Sequence, residues 1–190
     1  MVNGLASVLT AASCCSSLVP TIVAIGNDYS TGEASPPNPS SALPPASAVI
    51  ASSVKADPRY EPRAGSAIDD FCMLRFAAPA NLAALPVSVG ADDLAPGVSI
   101  KYVGFGATAS SDQTSSQRRS VTTSVSSLDA NSLQSTGSHT TCFGDTGGPV
   151  LAGSPPTLVG VIASTARPMM VLPLRLAPDN RIPSDAGRGC

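Results

Sequence analysis

Residues 141–150 read Thr-Cys-Phe-Gly-Asp-Thr-Gly-Gly-Pro-Val and concentrate the groups that could do chemistry. Glycines at 144, 147 and 148 permit a tight backbone turn, and the hydroxyl of Thr146 sits among them beside the carboxylate of Asp145. A hydroxyl is a poor nucleophile at its free pKa and needs a base within hydrogen-bond reach. Few bases are on offer: His139 is the one histidine, and Lys55 and Lys101 are the only lysines. A threonine can use its own terminal amine as base, but Thr146 is internal. On its own the segment also reads as a glycine-rich turn before a strand. Five cysteines, at 14, 15, 72, 142 and 190, are an odd number, so at least one is unpaired or bonds between chains. There is no Cys-x-x-Cys and no histidine cluster, so neither a zinc site nor a cofactor is expected.

The elements that must position these groups are short. Eighteen prolines and 16 glycines in 190 residues break the chain every few positions, which excludes a coiled coil, a helical bundle and a collagen-like fibre. Hydrophobic residues are 43 % and charged residues 13 %, so a charge-rich disordered tail is excluded as well. With no tryptophan and 4 % aromatics, the core must come mainly from Val, Leu, Ile and Ala. Apolar runs at Leu5–Ala11, Leu18–Ile25, Val49–Val54, Phe71–Phe76, Val98–Gly104, Val121–Val125 and Leu158–Ile162, with turn signals between them, predict an antiparallel barrel or sandwich. Residues 31–48 are Ser/Pro-rich and read as a solvated loop. Ala109–Arg119 reads as a surface turn, with Arg118-Arg119 solvated rather than a binding patch. Eleven basic against 13 acidic side chains leave a net charge of −2, which offers no footprint for nucleic acid.

Three readings compete for the uncharged residues 1–27. A secretory signal needs a basic start, but the first basic residue is Lys55. A lipoprotein box ending at Cys14 lacks the same start. A membrane span needs roughly 20 mainly apolar residues, and Asn3, Ser7, Thr10, Ser13, Ser16, Ser17 and Pro20 interrupt this run. Two short strands inside a folded domain are the preferred reading.

Several segments together resemble the trypsin-like (chymotrypsin-fold) serine proteases. Cys142-Phe143-Gly144-Asp145-Thr146-Gly147-Gly148-Pro149 is similar to that family's nucleophile loop, Cys-x-Gly-Asp-Ser-Gly-Gly-Pro. Val8-Leu9-Thr10-Ala11-Ala12-Ser13-Cys14 resembles the Leu-Thr-Ala-Ala-His-Cys segment that carries the catalytic histidine. Asp57-Pro58-Arg59-Tyr60 resembles the His-Pro-x-Tyr turn, and Asp69-Asp70-Phe71-Cys72-Met73-Leu74 the strand that opens with the catalytic aspartate. Val103-Gly104-Phe105-Gly106-Ala107-Thr108 resembles a Gly-Trp-Gly-x-Thr strand, and Leu158–Ser164 the strand lining the substrate cleft. These landmarks run in the family's order from about residue 5 to residue 165. The resemblance implies an all-β fold, a chymotrypsin-like double six-stranded β-barrel, as one domain over 1–190 that is incomplete at both ends.

Carried over position by position, the resemblance gives a degenerate triad: Ser13 at the histidine position, Asp70 at the aspartate position and Thr146 at the nucleophile position. Main-chain amides of Gly144 and Thr146 would form the oxyanion hole. Serine cannot act as a base near neutrality, and Asp70 would have no imidazole to orient. Removing triad members in such enzymes costs on the order of a million-fold, leaving about 10³–10⁴ over water. His139 falls on the rim of the specificity pocket, where a surface or wall role is favoured over that of a substitute base. Thr140 marks the pocket floor and Ala163, Ser164 and Thr165 line the cleft, so any bound peptide would present an uncharged side chain. These small residues also read as plain packing. In the family a processed amino terminus pairs with the aspartate at Asp145.

Further expectations concern the cysteines and the setting. The resemblance pairs Cys142 with Cys190 and gives Cys14 a partner upstream of residue 1. Cys15, adjacent to Cys14, is a strained partner for it, and Cys72 inside a strand is expected to be a buried free thiol. The implied ancestor is secreted, although no signal peptide is recognisable here. The leading functional expectation is a non-catalytic protease homologue that retains peptide or protein binding, with no nucleic acid and no membrane span. The alternatives are a weak endopeptidase using Thr146, with His139 as base, and a structural surface lipoprotein anchored near Cys14.

Overall fold

The computed structural model describes residues 5–15, 22–24, 48–61, 69–77, 83–88, 94–107, 118–129, 132–136, 141–142, 144–164 and 170–173. Among them are eleven strands, one 3-10 turn at Ala12–Cys14 and no α-helix. In chain order the strands are β1 Leu5–Thr10, β2 Ile22–Ala24, β3 Ala48–Ile50, β4 Ser53–Ala56, β5 Cys72–Ala77, β6 Ser99–Gly104, β7 Arg119–Leu128, β8 Leu133–Thr136, β9 Pro149–Ala152, β10 Thr157–Ser164 and β11 Met170–Pro173.

The second half of the chain closes a six-stranded antiparallel barrel in the order β10-β11-β8-β7-β6-β9. Closure leaves no open edge, and the alternation of β6 shows how it is filled: Ile100 and Tyr102 point inward while Ser99 and Lys101 face solvent. These two pack with Leu94, Val125, Leu133, Val150, Val159 and Ile162 in one core. The aliphatic core expected from the composition is therefore present, with Tyr102 as its largest side chain.

The first half contains an antiparallel sheet in the order β1-β5-β4 and a separate β2-β3 pair. In β5, Cys72, Leu74 and Phe76 are buried while Arg75 and Ala77 are exposed. Cys72 and Leu74 form a small core with Ala12 and Cys15, flanked by Val8, Ala51, Ala56 and Tyr60.

The apolar run expected as one strand over Val49–Val54 is split between β3 and β4. Ser52 makes the break, because its amide donates to Arg75 O (2.7 Å) and its hydroxyl donates to the same oxygen (3.1 Å). The chain thereby leaves the β2-β3 pair and enters the sheet with β5. Arg119 is the first residue of β7 rather than the end of a surface turn, paired with Gly104 and donating to Gly106 O (3.0 Å). The strand expected over Leu18–Ile25 is described only at β2. The Ser/Pro-rich loop over 31–48 lies outside the described residues, apart from Ala48 in β3.

Candidate functional site

β1 ends at Thr10, and an extended Ala11 (φ −75°, ψ 144°) leads into the 3-10 turn that carries Ser13. Ala11 and Ala12 are buried, so their small side chains let the turn sit tight against the start of β5. The Ser13 amide donates to Asp70 Oδ1 (2.6 Å) and its hydroxyl donates to Asp70 Oδ2 (2.9 Å). Ser13 and Asp70, two of the triad positions that the resemblance implies, are thus in direct contact. Asp70 is only 2 % exposed. Burial pushes its carboxyl up from the usual aspartate range, against hydrogen bonds from the Ser13 amide, the Ser13 hydroxyl and the Ala12 amide.

The approach to Asp70 is held from the other side. Asp69 adopts a left-handed backbone (φ 60°), a conformation Asp tolerates better than most residues. Its carbonyl accepts from the Phe71 amide at 2.7 Å. Arg59 reaches Asp69 at 3.3 Å and Asp57 at 2.9 Å, tying the Asp57–Tyr60 turn to the residue before Asp70. Burial works to raise the Asp57 carboxyl, but its contacts with Arg59 together hold it below the usual value.

The glycine-rich loop is folded by its own backbone. The Asp145 amide donates to Cys142 O (3.1 Å) and the Gly148 amide to Asp145 O (2.9 Å). Gly147 N to Ile162 O (2.7 Å) and Ile162 N to Gly148 O (2.9 Å) fasten the loop to β10. Gly144 (φ 91°) and Gly147 (φ 86°) both occupy the left-handed region. At Gly147 there is a second demand, since a Cβ there would strike Thr10 Oγ1.

That close approach joins the two halves. The Thr10 hydroxyl donates to Gly147 O (3.2 Å), and the Cys14 thiol donates to Thr146 O (3.7 Å). Ser13, Asp70 and Thr146 thus belong to one neighbourhood. Among the described residues, the amides of Gly144 and Thr146 and the Thr146 hydroxyl meet no acceptor. Thr10 was not marked by sequence reasoning as more than part of a matching segment, yet it supplies the hydroxyl that links the halves.

Asp145 faces away from this neighbourhood. Its carboxylate accepts from the Gly106 amide and the Cys142 amide, each at 2.8 Å. It borders a cavity of about 340 Å³ together with Gly104, Gly106, Arg119 and Thr141. A Cβ on Gly104 or Gly106 would collide with the carboxylate, so the Gly-x-Gly spacing in β6 and after it exists to admit Asp145. No cation pairs with Asp145 among the described residues.

Of the cleft residues expected, Ala163 is buried in β10 and Ser164 ends that strand. Thr140, Thr165, His139 and Cys190 lie outside the described residues, so the Cys142–Cys190 pair lies outside them too. One expectation is corrected. Cys72 is not a free thiol but is bonded to Cys15, with Cα atoms 6.3 Å apart. The cause is the 3-10 turn, which folds the chain back after Thr10, the β1 partner of Cys72, and sets Cys15 over the start of β5. Among the described residues no three His, Cys, Asp or Glu side chains cluster as metal ligands would, and no helix is long and apolar enough to cross a membrane.

A closed barrel, a second sheet system and a glycine-rich loop set against the segment of Ser13 define a chymotrypsin-like double β-barrel. The family model for trypsin matches residues 2–168, so the chain belongs to the trypsin family. Solved structures with this fold include two variants of human heparin-binding protein (CAP37). The first superposes with a TM-score of 0.67 at 19 % identity, covering 88 % of this chain and 75 % of that one. The second gives 0.71 at 22 % identity, covering 91 % and 79 %. No curated protein matches the chain.

Proposed function

We propose that this chain is a non-catalytic member of the trypsin family that binds a peptide or protein segment across the old cleft. The observation that carries the reading is the contact at the triad positions. Both oxygens of Asp70 are engaged by Ser13, where the family has an imidazole. A hydroxyl there cannot take the proton from Thr146, and Asp70 is too buried to reach past Ser13 and do so. The amides of Gly144 and Thr146 remain as hydrogen-bond donors for a peptide carbonyl. An oxidising, exported setting suits the reading, because the Cys15–Cys72 bond persists there.

The heparin binding named for the structural neighbours is not part of this proposal. A polyanionic chain calls for clustered positive charge, and the net charge of −2 gives no support for it. The test is a paired assay on one pool of amide-capped peptides with uncharged side chains, reading retention by the immobilised protein and cleavage by mass. Retention without cleavage is expected. Cleavage that disappears with Thr146→Ala would overturn the non-catalytic part, and absence of retention would overturn the binding part.

A further inference from the structure

The two halves of the molecule are held by different means. The barrel is closed by hydrogen bonds all round and filled by eight buried side chains, Tyr102, Ile100, Leu133 and Ile162 among them. Among the described residues, the β1-β5-β4 sheet has three strands and a buried cluster of Ala12, Cys15, Cys72 and Leu74, flanked by Val8, Ala51, Ala56 and Tyr60. Two of those four residues are the disulfide, and the alanine beside them contributes little apolar area. Phe76 is buried further along β5, outside that cluster. The bond thus supplies half of this cluster, so the packing of the sheet depends on it.

The position of the bond matters as much as its burial. Cys15 follows the turn that carries Ser13, and Cys72 lies two residues after Asp70. The bond therefore lies two residues beyond the Ser13–Asp70 contact on both segments and closes a sequence separation of 57 residues. Loop-closure entropy for that separation corresponds to a roughly thousand-fold shift in the equilibrium between closed and open sheet.

We infer that Cys15–Cys72 is a redox-conditional clasp: oxidised, it holds the β1-β5-β4 sheet and the Ser13–Asp70 contact together, and reduced, it releases them while the barrel stays closed. In the reduction an external dithiol supplies two electrons and two protons. The Cys15–Cys72 S–S bond breaks, both residues become thiols, and the dithiol departs as its own disulfide. Cys15 is 7 % and Cys72 1 % exposed, so the dithiol reaches the bond only when the sheet opens, and release is slow under native conditions.

Hydrogen exchange read by mass spectrometry on the full chain tests this directly. The oxidised protein is compared with protein held in excess dithiothreitol until Cys15 and Cys72 titrate as thiols, and with the Cys15→Ala/Cys72→Ala double variant. Exchange in residues 5–15, 53–56 and 72–77 is expected to accelerate a hundred-fold or more in both, with residues 99–104, 119–128 and 157–164 unchanged. Unchanged exchange throughout would show the clasp to be incidental and overturn the inference. Loss of protection in barrel and sheet together, including failure of the variant and the reduced protein to fold, would show one cooperative unit and overturn it equally.

Discussion

Replacing Ser13 by alanine removes the donor to Asp70 Oδ2 and leaves one oxygen of a 2 %-exposed carboxylate without a side-chain partner. Hydrogen bonds to charged groups contribute about 1.5–3 kcal/mol, so Ser13→Ala is expected to lose about 2 kcal/mol at pH 7. Asp70→Asn has a different outcome. Its Oδ1 still accepts from the Ser13 amide, and its Nδ2 can donate to the Ser13 hydroxyl, which then accepts. The buried charge is gone, so this variant is expected to be at least as stable as the parent at pH 7. In the Asp70→Asn background a neutral hydrogen bond is at stake, and Ser13→Ala should cost only about 0.5–1.5 kcal/mol.

The pH dependence follows from the direction of the Asp70 shift. Burial raises its carboxyl above 3.8, so the folded state binds this proton more readily than the unfolded chain. The resulting stabilisation is fully present below 3.8 and is lost as pH rises through the folded value. The Ser13→Ala deficit should therefore shrink in acid, and Asp70→Asn should flatten this part of the profile. Urea unfolding followed by circular dichroism at pH 7 and pH 4 measures all of it. A deficit below about 0.5 kcal/mol for Ser13→Ala, or the same deficit with and without the Asp70 charge, would refute the reasoning.

Two further outcomes follow. Gly106→Ala puts a Cβ into the Asp145 carboxylate and should destabilise by about 1–3 kcal/mol, visible as a lower urea midpoint at unchanged slope; a neutral effect would contradict the close approach. Tyr102 is pushed up to about 12 by burial, with the Ser135 hydroxyl working the other way. One of the three tyrosines should thus ionise last in an ultraviolet absorbance titration. That late phase should vanish in Tyr102→Phe, and the folded protein should lose stability as pH rises from 10 towards 12, because only the neutral phenol suits the core.

Much of the site was legible because it is written locally. The glycine-rich loop needs glycine at positions of positive φ, and Gly144 and Gly147 stand there in the sequence as in the fold. The partnership of Ser13 with Asp70 came from matching segments, and the contact came out direct. What escaped was non-local or weakly patterned. β8 is Leu-Gln-Ser-Thr, β9 begins and β11 ends in proline, and none of the three carries an apolar alternation long enough to see. They become strands because the barrel must close around β6, β7 and β10. The Cys15–Cys72 bond depended on a 3-10 turn folding back over β5, and cysteine spacing alone does not encode such connectivity. Gly106 was visible only as part of a matching segment, and its role, to admit the carboxylate of Asp145, comes from 39 residues further along the chain.

The central proposal is that Thr146 lacks a base, because Ser13 stands where the family has an imidazole. The most direct measurement is the intact mass of the oxidised, folded protein after exposure to a fluorophosphonate, beside Thr146→Ala. The probe reports an activated hydroxyl without any guess at a substrate. No adduct is expected on either protein, since a threonine hydroxyl without a partner base stays unreactive. An adduct on the parent that is missing from Thr146→Ala would show an activated nucleophile and contradict the non-catalytic reading.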